Sequence, residues 1–282
     1  MVQVERRSYP VASEPLGEQR FDAASLKRDS GWQLRAPDSL LRERGRLAEW
    51  AAEQPDAIAN YSHGIIPLPE IEALAEAIRN QLDTRFGVAW VSGLPVEDDP
   101  ETAALLYLAV GAAMGEVIDT YGRLYDVVDR GSSYKNNAIP VSQTRESTGM
   151  HTDSSRLGNI PDYVGLLCQR TAHKGGASRI ASAVQAHESL RRRNTGALRV
   201  LYREFVRAVV TPGADRDPAK SAENRFPIFR YEQGLTLRYM RYWIETGHRI
   251  TGVPIAEEEE KAMNALDEEL SREEQVFRFD LS

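Results

Sequence analysis

From residue 70 onwards the chain shows two clear hydrophobic patterns, helical spacing and strand-like alternation. A helix is predicted from about residue 70 to residue 82, because apolar side chains recur there every three or four positions and Pro69 suits a first turn. These side chains belong to Ile71, Leu74, Ile78 and Leu82. The next segment, 85–92, is predicted as a strand that closes in a turn at 93–95.

The same patterns extend the prediction over the rest of the chain. Helices are predicted at 40–53, 100–117, 182–193, 196–205 and 255–270, and strands at 163–169, 178–181, 235–239 and 277–281. The 182–193 helix begins with a Ser-x-x-Gln sequence, from Ser182 to Gln185, which is typical of a capping box at a helix start. The acidic run 257–260 lies at a helix start, where negative side chains are favourable. We expect short strands with helices packed outside them.

Length and composition favour one domain. The chain has 282 residues, which is enough for one large domain or two small ones. It contains no internal repeat, low-complexity linker or change of composition. We therefore predict a single domain over 1–282, with 1–60 as a helical or irregular extension and 61–282 as the core. Trp32 and Trp50 are the expected anchors of the extension.

Charge, cysteine content and hydropathy exclude several classes of protein. A net charge of -7 argues against a nucleic-acid-binding protein, which normally carries a basic patch. The single cysteine, Cys168, cannot form an intrachain disulfide, which fits a reducing compartment, and its apolar neighbours predict a core position. Residues 1–10 are polar and unlike a signal peptide, and no apolar run approaches the roughly 20 residues that cross a bilayer. A cytoplasmic protein without a membrane span is predicted.

One short motif can place two metal ligands by spacing alone. His151 and Asp153 are two residues apart, so on a β-strand their side chains point to the same face while Thr152 faces away. An imidazole and a carboxylate at one point are two parts of the facial triad that holds non-haem Fe(II) and leaves positions open for other ligands. The spacing also fits a surface or capping pair, and by itself it does not separate these readings.

Three stretches carry a resemblance to a known family: 149–153 (GMHTD), 168–178 (CQRTAHKGGAS) and 186–190 (AHESL). They resemble the taurine dioxygenase-like (TauD/TfdA-type) family of Fe(II)- and 2-oxoglutarate-dependent oxygenases. The segments 85–95 and 234–247 are also similar to stretches of family members. The resemblance implies a mainly β fold with flanking helices (α+β), whose core is a double-stranded β-helix, a cupin-like jelly roll of the clavaminate synthase-like type.

The resemblance also implies roles for particular residues. His151 and Asp153 would bind Fe(II), and the hydroxyl of Ser178 would bond a carboxylate of 2-oxoglutarate, although family members often have threonine there. The alternative for Ser178 is a strand-end hydroxyl bonded to backbone. The expected activity is a dioxygenase that uses O2 to hydroxylate or desaturate a small molecule. Halogenating relatives lack the carboxylate, so Asp153 argues against halogenation.

The sequence departs from the family after residue 240. Family members carry a second histidine ligand on a late core strand and, further on, an arginine that pairs with 2-oxoglutarate. Here the last histidine is His248, and a charged amphipathic helix follows it. We therefore expect that the core lacks its C-terminal strands and that the third ligand lies beyond Ser282, with His248 as a weaker alternative. The other histidines, His63, His173 and His187, are expected to make local contacts. A catalytically inactive jelly-roll binding protein stays open as the alternative.

The substrate is only loosely indicated. Asn137, with Tyr134, Asn136 and Thr148, precedes the motif where family members often line the substrate pocket. Arg238 and Arg241 are candidate partners for a carboxylate, because the guanidinium group matches that geometry at two points, but either could be an exposed side chain. An amino acid or small carboxylate is the expected substrate, and homo-oligomerisation stays open. Neither a Gly-x-Ser-x-Gly motif nor a Walker-type phosphate loop is present, so a hydrolase has little support.

Overall fold

The structure is a computed structural model that describes residues 7–12, 20–96, 99–119, 122–128, 131, 133, 141–144, 148–153, 160–171, 176–208 and 218–279. Its helices are α1 (Ala23–Arg28), α2 (Leu40–Ala52), α3 (Ala57–Asn60), α4 (Pro69–Thr84), α5 (Pro100–Met114), α6 (Ala183–Arg193), α7 (Thr195–Leu201), α8 (Pro218–Glu223), α9 (Arg241–Thr251) and α10 (Glu257–Ser271). A short 3₁₀ helix spans Val141–Gln143.

The strands of the described residues are short and pair in twos. They are β1 (Gln33–Arg35), β2 (Trp90–Ser92), β3 (Ser178–Ile180), β4 (Glu204–Val206), β5 (Arg225–Pro227), β6 (Phe229–Tyr231), β7 (Leu235–Leu237) and β8 (Phe277–Phe279). In the described part of the chain they form one parallel pair, β1–β2, and three antiparallel pairs, β3–β8, β4–β5 and β6–β7. Helices hold more of these residues than strands do. Helices and small sheets thus occur together, while the closed jelly roll stays a prediction.

The first half of the chain packs around α2, α4 and α5. Leu47 of α2, Ile71 of α4 and Leu106 of α5 are almost fully buried in one apolar cluster. Glu43 of α2 also points inward, and its two carboxylate oxygens accept the backbone N–H groups of Glu70 and Ile71, both at 2.9 Å. A helix start leaves such N–H groups without partners, so this carboxylate caps α4 from a neighbouring helix.

The second half packs α6, α7 and α10 against the strands β4 to β7. Leu198 of α7 and Met263 and Leu266 of α10 have no exposed surface, and they share one cluster with Phe229. The apolar face predicted for the last helix is therefore confirmed. His187 of α6 lies in the same core, where its Nε2 atom is 3.0 Å from the hydroxyl of Tyr202.

Aromatic rings join the N-terminal strands to the C-terminal strand. Trp32 is fully buried, and its ring centroid lies 5.3 Å from that of Phe277. The ring centroids of Trp90 and Phe279 are 5.2 Å apart. Trp32 is therefore an anchor, as expected, and residues before 60 contribute to a shared apolar cluster. None of the described helices combines the length and hydrophobicity of a membrane span.

The structure corrects three local predictions. The helix predicted at 196–205 ends at Leu201, because a turn and the strand β4 follow it. Residues 163–169 form no strand, and Leu166 is 70% exposed, so the apolar composition of this segment was misleading. Cys168 is half-buried rather than a core residue. Helix α9 was not predicted, because its segment was assigned only by the family resemblance.

Candidate active site

The structure brings the side chains of His151 and Asp153 together. The Nε2 atom of His151 lies 3.5 Å from Oδ1 of Asp153, and the two side chains keep 34% and 51% of their surface exposed. The backbone of His151 and Thr152 is irregular, and Asp153 begins a turn, so the described residues here do not form the predicted strand. Within the described residues 148–153, the backbone of Thr152 bonds to the distant Tyr239, but no continuous strand ladder forms. The two side chains nevertheless converge and face open space.

Thr152 anchors the segment to the core between the two candidate ligands. Its backbone N–H donates to the carbonyl of Tyr239 at 2.8 Å, and its hydroxyl accepts the N–H of Tyr239 at 2.9 Å. Tyr239 is fully buried, and its hydroxyl donates to Asp267 of α10 at 2.7 Å. Burial and the nearby Asp267 carboxylate raise the pKa of Tyr239. Thr152 is thus held by Tyr239, while the side chains of His151 and Asp153 contact each other.

Local hydrogen bonds favour one tautomer of His151. Its Nδ1 atom lies 2.9 Å from the carbonyl oxygen of Gly149 and 3.1 Å from the hydroxyl of Thr148. Because a carbonyl only accepts, the hydrogen-bond network assigns a proton to Nδ1. In the neutral ring Nε2 is then unprotonated, and in the imidazolium form Nε2–H faces the carboxylate of Asp153. The hydrogen bond with Asp153 raises the pKa of His151, and burial acts in the opposite direction. A histidine ligand of a metal commonly makes this kind of contact through its other nitrogen.

The donor set of this pair fits a ferrous ion. An imidazole nitrogen and a carboxylate oxygen are two of the three ligands that hold non-haem Fe(II). No third His, Cys, Asp or Glu among the described residues joins the pair in a group that could hold a metal ion. The residues present therefore supply two ligands of such a site.

His248 is bound to backbone on both sides of its ring. Nε2 accepts the N–H of Val206 at 3.2 Å, and Nδ1 lies 3.0 Å from the carbonyl of Val253. The ring is 3% exposed and links α9 to β4. These contacts favour a structural role over the alternative of a third metal ligand.

The remaining histidines lie apart from the pair or outside the described residues. His187 is buried against Tyr202, and burial lowers the pKa of His187. His63 is half exposed, and its Nε2 atom lies 3.7 Å from Glu72. His173 lies outside the described residues.

Ser178 is the first residue of β3. It pairs with Phe279 of β8, and it is half-buried together with Ile180. The hydrogen bonds among the described residues do not join it to His151 or Asp153. Its contact with 2-oxoglutarate stays a prediction.

Two of the three predicted substrate contacts, Arg238 and Arg241, lie among the described residues. Arg238 is half-buried, and the centre of its guanidinium group lies 4.2 Å from the ring centroid of Phe226. Burial lowers the pKa of Arg238. Arg241 points to helices α9 and α10, where it donates to carboxylates of Glu245 at 2.6 Å and Asp267 at 2.8 Å. Asn137 lies outside the described residues.

Sequence reasoning did not single out Arg207, which is a buried arginine among the described residues. Arg207 directly follows β4 and is 3% exposed. Its guanidinium centre lies 5.6 Å from the ring centroid of Phe226. The sequence signal for its burial was an arginine inside the apolar run 205–210, since an arginine is seldom fully buried unless it is paired.

These features define a class of protein: a mixed helix and strand fold that presents an imidazole and a carboxylate on an open face. Comparison with known proteins then specifies it. The sequence model of the "Taurine catabolism dioxygenase TauD, TfdA family" matches residues 52–282. The chain belongs to this family, which confirms the resemblance found in the sequence. Members of the family are Fe(II)- and 2-oxoglutarate-dependent dioxygenases.

A curated relative gives the same general assignment. The chain is 26% identical over 265 residues to FR-33289 synthase of Streptomyces rubellomurinus (strain ATCC 31215). The match covers 92% of this chain and 76% of that protein. Family and relative together support an oxygenase of the Fe(II)/2-oxoglutarate type in general terms.

Proposed function

We propose that this chain is an Fe(II)- and 2-oxoglutarate-dependent dioxygenase that hydroxylates or desaturates a small organic acid or amino acid. The observation that carries the proposal is the convergence of His151 and Asp153 within 3.5 Å in a chain of the TauD/TfdA family. The proposal includes one domain, a jelly-roll core and a cytoplasmic location.

In this proposal each residue of the site has a defined task. His151 and Asp153 hold Fe(II) on one side, and Thr152 keeps the two ligands in place through Tyr239. The contact of Nδ1 with Gly149 keeps Nε2 available to the metal. Bound Fe(II) with 2-oxoglutarate and O2 supplies the oxidising chemistry, while the protein supplies binding and orientation.

Further residues complete the proposed site. The hydroxyl of Ser178 donates to a carboxylate of 2-oxoglutarate, and Arg238 contacts the acidic group of the substrate. Asn137 lines the substrate pocket. Arg241 stays a candidate, although its ion pairs with Glu245 and Asp267 favour a structural role. In this proposal the third metal ligand lies outside the described residues.

The proposal is tested by O2 consumption and succinate formation with Fe(II), 2-oxoglutarate and a panel of amino acids and small carboxylic acids. Wild-type protein is expected to consume O2 only when 2-oxoglutarate is present. His151→Ala should abolish this consumption, because it removes a ligand. The matched control is His63→Ala, which removes an exposed histidine that pairs with Glu72, and it should retain the activity. Equal activity in His151→Ala and wild type would contradict the site.

An inactive binding protein of the same fold is the second candidate. It is favoured by one observation, that the described residues supply two metal ligands and no third. This candidate predicts small-molecule binding without consumption of O2 under any combination of Fe(II) and 2-oxoglutarate. Turnover by the wild-type chain would exclude it.

A further inference from the structure

A polar cavity of about 230 Å³ lies against helix α6. Its walls come from the start of α1, from α6 and from the segment that joins α10 to β8. We call this space the α6 cavity, and its lining residues are Asp22, Gln185, Ser189, Arg192, Arg193, Glu274 and Gln275. Neither His151 nor Asp153 lines it, so it is separate from the candidate iron ligands.

One face of α6 turns toward the cavity. Gln185, Ser189 and Arg192 follow one another at spacings of four and three residues, which places them on the same side of a helix. Ala186 and Leu190 lie on another face and are buried in the apolar core of the second half of the chain. The helix therefore has a core face and a separate polar face. Ser189 is only 4% exposed, so part of this polar face is shielded from bulk water.

Gln275 brings an unpaired hydrogen-bond acceptor to the cavity. Its side chain is almost fully buried, and its Nε2 donates to Glu269 at 2.8 Å. The other amide atom, Oε1, is buried and has no hydrogen-bond partner among the described residues. A buried acceptor without a partner costs free energy, and an N–H or O–H group of a ligand would remove that cost. The cavity therefore favours a ligand that carries a donor.

Opposite charges line different walls of the cavity. Arg192 and Arg193, at the C-terminal end of α6, form the basic wall. Asp22 and Glu274 form the acidic wall, and their segments are joined by a hydrogen bond of 3.0 Å from the N–H of Ala23 to the carbonyl of Glu274. The two carboxylates are thus brought to the same side by the contact of α1 with the segment before β8.

The two walls are not paired directly with each other. Glu274 lies 3.7 Å from Arg272, and Arg193 lies 3.9 Å from Glu269. Among the described residues, no ion pair joins an arginine of the basic wall to a carboxylate of the acidic wall. A molecule with a negative end and a positive end can therefore contact both walls at once.

We propose that the α6 cavity binds a small zwitterion of the α-amino acid type, with its carboxylate against Arg192 and Arg193 and its ammonium group against Asp22 and Glu274. Guanidinium groups bind carboxylates through charge-assisted hydrogen bonds, and carboxylates accept such bonds from an ammonium group. The volume suits a small molecule, since pockets for drug-sized ligands measure about 300–1,000 Å³. This site goes beyond the proposed function, because none of its residues is a candidate ligand of iron or 2-oxoglutarate.

The test is a calorimetric titration of the metal-free full chain with three matched probes at low ionic strength. L-Serine carries both charges, 3-hydroxypropionate lacks the ammonium group, and ethanolamine lacks the carboxylate. Wild-type protein is expected to bind L-serine about fivefold or more tightly than either analogue, because only L-serine contacts both walls. Absence of L-serine binding, or equal binding of either analogue, would overturn the proposal.

Arg192→Gln and Glu274→Gln test the two walls separately. Each should weaken L-serine binding about fivefold or more, because each removes a charged partner of the ligand. Both residues are exposed, so the variants should fold, which circular dichroism checks. The matched controls are Arg199→Gln and Glu273→Gln, at exposed positions that do not line the cavity, and they should bind within about twofold of wild type. Equal losses in the cavity variants and the controls would contradict the assignment.

His151→Ala separates the α6 cavity from the candidate active site. This variant should bind L-serine as wild type does, because His151 does not line the cavity. Loss of binding in His151→Ala, together with full binding in Arg192→Gln, would place the amino acid in the candidate active site and overturn the proposal. The titrations contain no iron, so their failure is distinguishable from failure of the proposed oxygenase activity.

Discussion

Thr152→Val tests whether the candidate iron ligands are held in place from a distance. The hydroxyl of Thr152 accepts the N–H of Tyr239 at 2.9 Å, and Tyr239 is fully buried. Valine has a similar shape but accepts no hydrogen bond, so it leaves a buried N–H without this partner. Such a loss costs about 1–3 kcal/mol of the free energy of unfolding.

The expected effect is measurable by thermal unfolding. A change of 1 kcal/mol shifts the melting temperature of a large domain by about 2–4 °C, so Thr152→Val should melt roughly 2–12 °C below wild type. Its affinity for Fe(II) should also fall, by about tenfold, because the support of a metal ligand affects metal binding. Circular dichroism during heating and an anaerobic Fe(II) titration measure the two effects.

The matched control is Thr148→Val. The hydroxyl of Thr148 lies 3.1 Å from Nδ1 of His151, but the carbonyl of Gly149 already contacts the same nitrogen at 2.9 Å. Its loss should therefore change the free energy of unfolding by no more than about 0.5 kcal/mol. A Thr152→Val protein that melts with wild type would refute the anchoring role of this hydroxyl.

Three further predictions concern the fold around the site. Gly247→Ala should lower the free energy of unfolding by about 3 kcal/mol, because the added Cβ meets backbone atoms. Gly45→Ala in α2 should raise the free energy of unfolding by about 0.5–1 kcal/mol, because open space surrounds Gly45. Chemical denaturation measures both changes. Arg241→Met should cost about 1–2 kcal/mol in the same assay yet leave Fe(II) affinity unchanged, and a selective loss of substrate binding would contradict its structural role. Burial lowers the pKa of His187, so below about pH 6.5 the unfolded chain binds a proton that the folded chain does not, and the free energy of unfolding should fall as the pH drops. Denaturation series at several pH values measure this dependence, and His187→Gln should make it weaker. An unchanged pH dependence in His187→Gln would count against this role of His187.

The sequence predicted those parts of the fold whose signals are local. Helix α4 follows from apolar spacing and a proline in the first turn, and α10 follows from its apolar face. The 163–169 segment failed because apolar composition does not distinguish a paired strand from an extended exposed segment. Strand pairing depends on distant partners, and composition does not specify them.

In the candidate site, too, features with a local sequence signal were predicted and contacts between distant residues were not. The short spacing of His151 and Asp153 predicted their convergence, although the backbone between them is irregular and not a strand. The contact of Thr152 with Tyr239 spans 87 positions, so no local sequence pattern predicts it. The position of Arg207 depends on the packing of α9 against the end of β4 in the same way.

The central claim is that His151 and Asp153 bind a ferrous ion. The most direct measurement is an anaerobic titration of the full chain with Fe(II) in the presence of 2-oxoglutarate, followed by the weak visible charge-transfer band expected for this family. The account predicts a saturable band in wild type and in His63→Ala, and its loss in His151→Ala and Asp153→Ala. A band of equal intensity in all four proteins, or none in wild type, would contradict it.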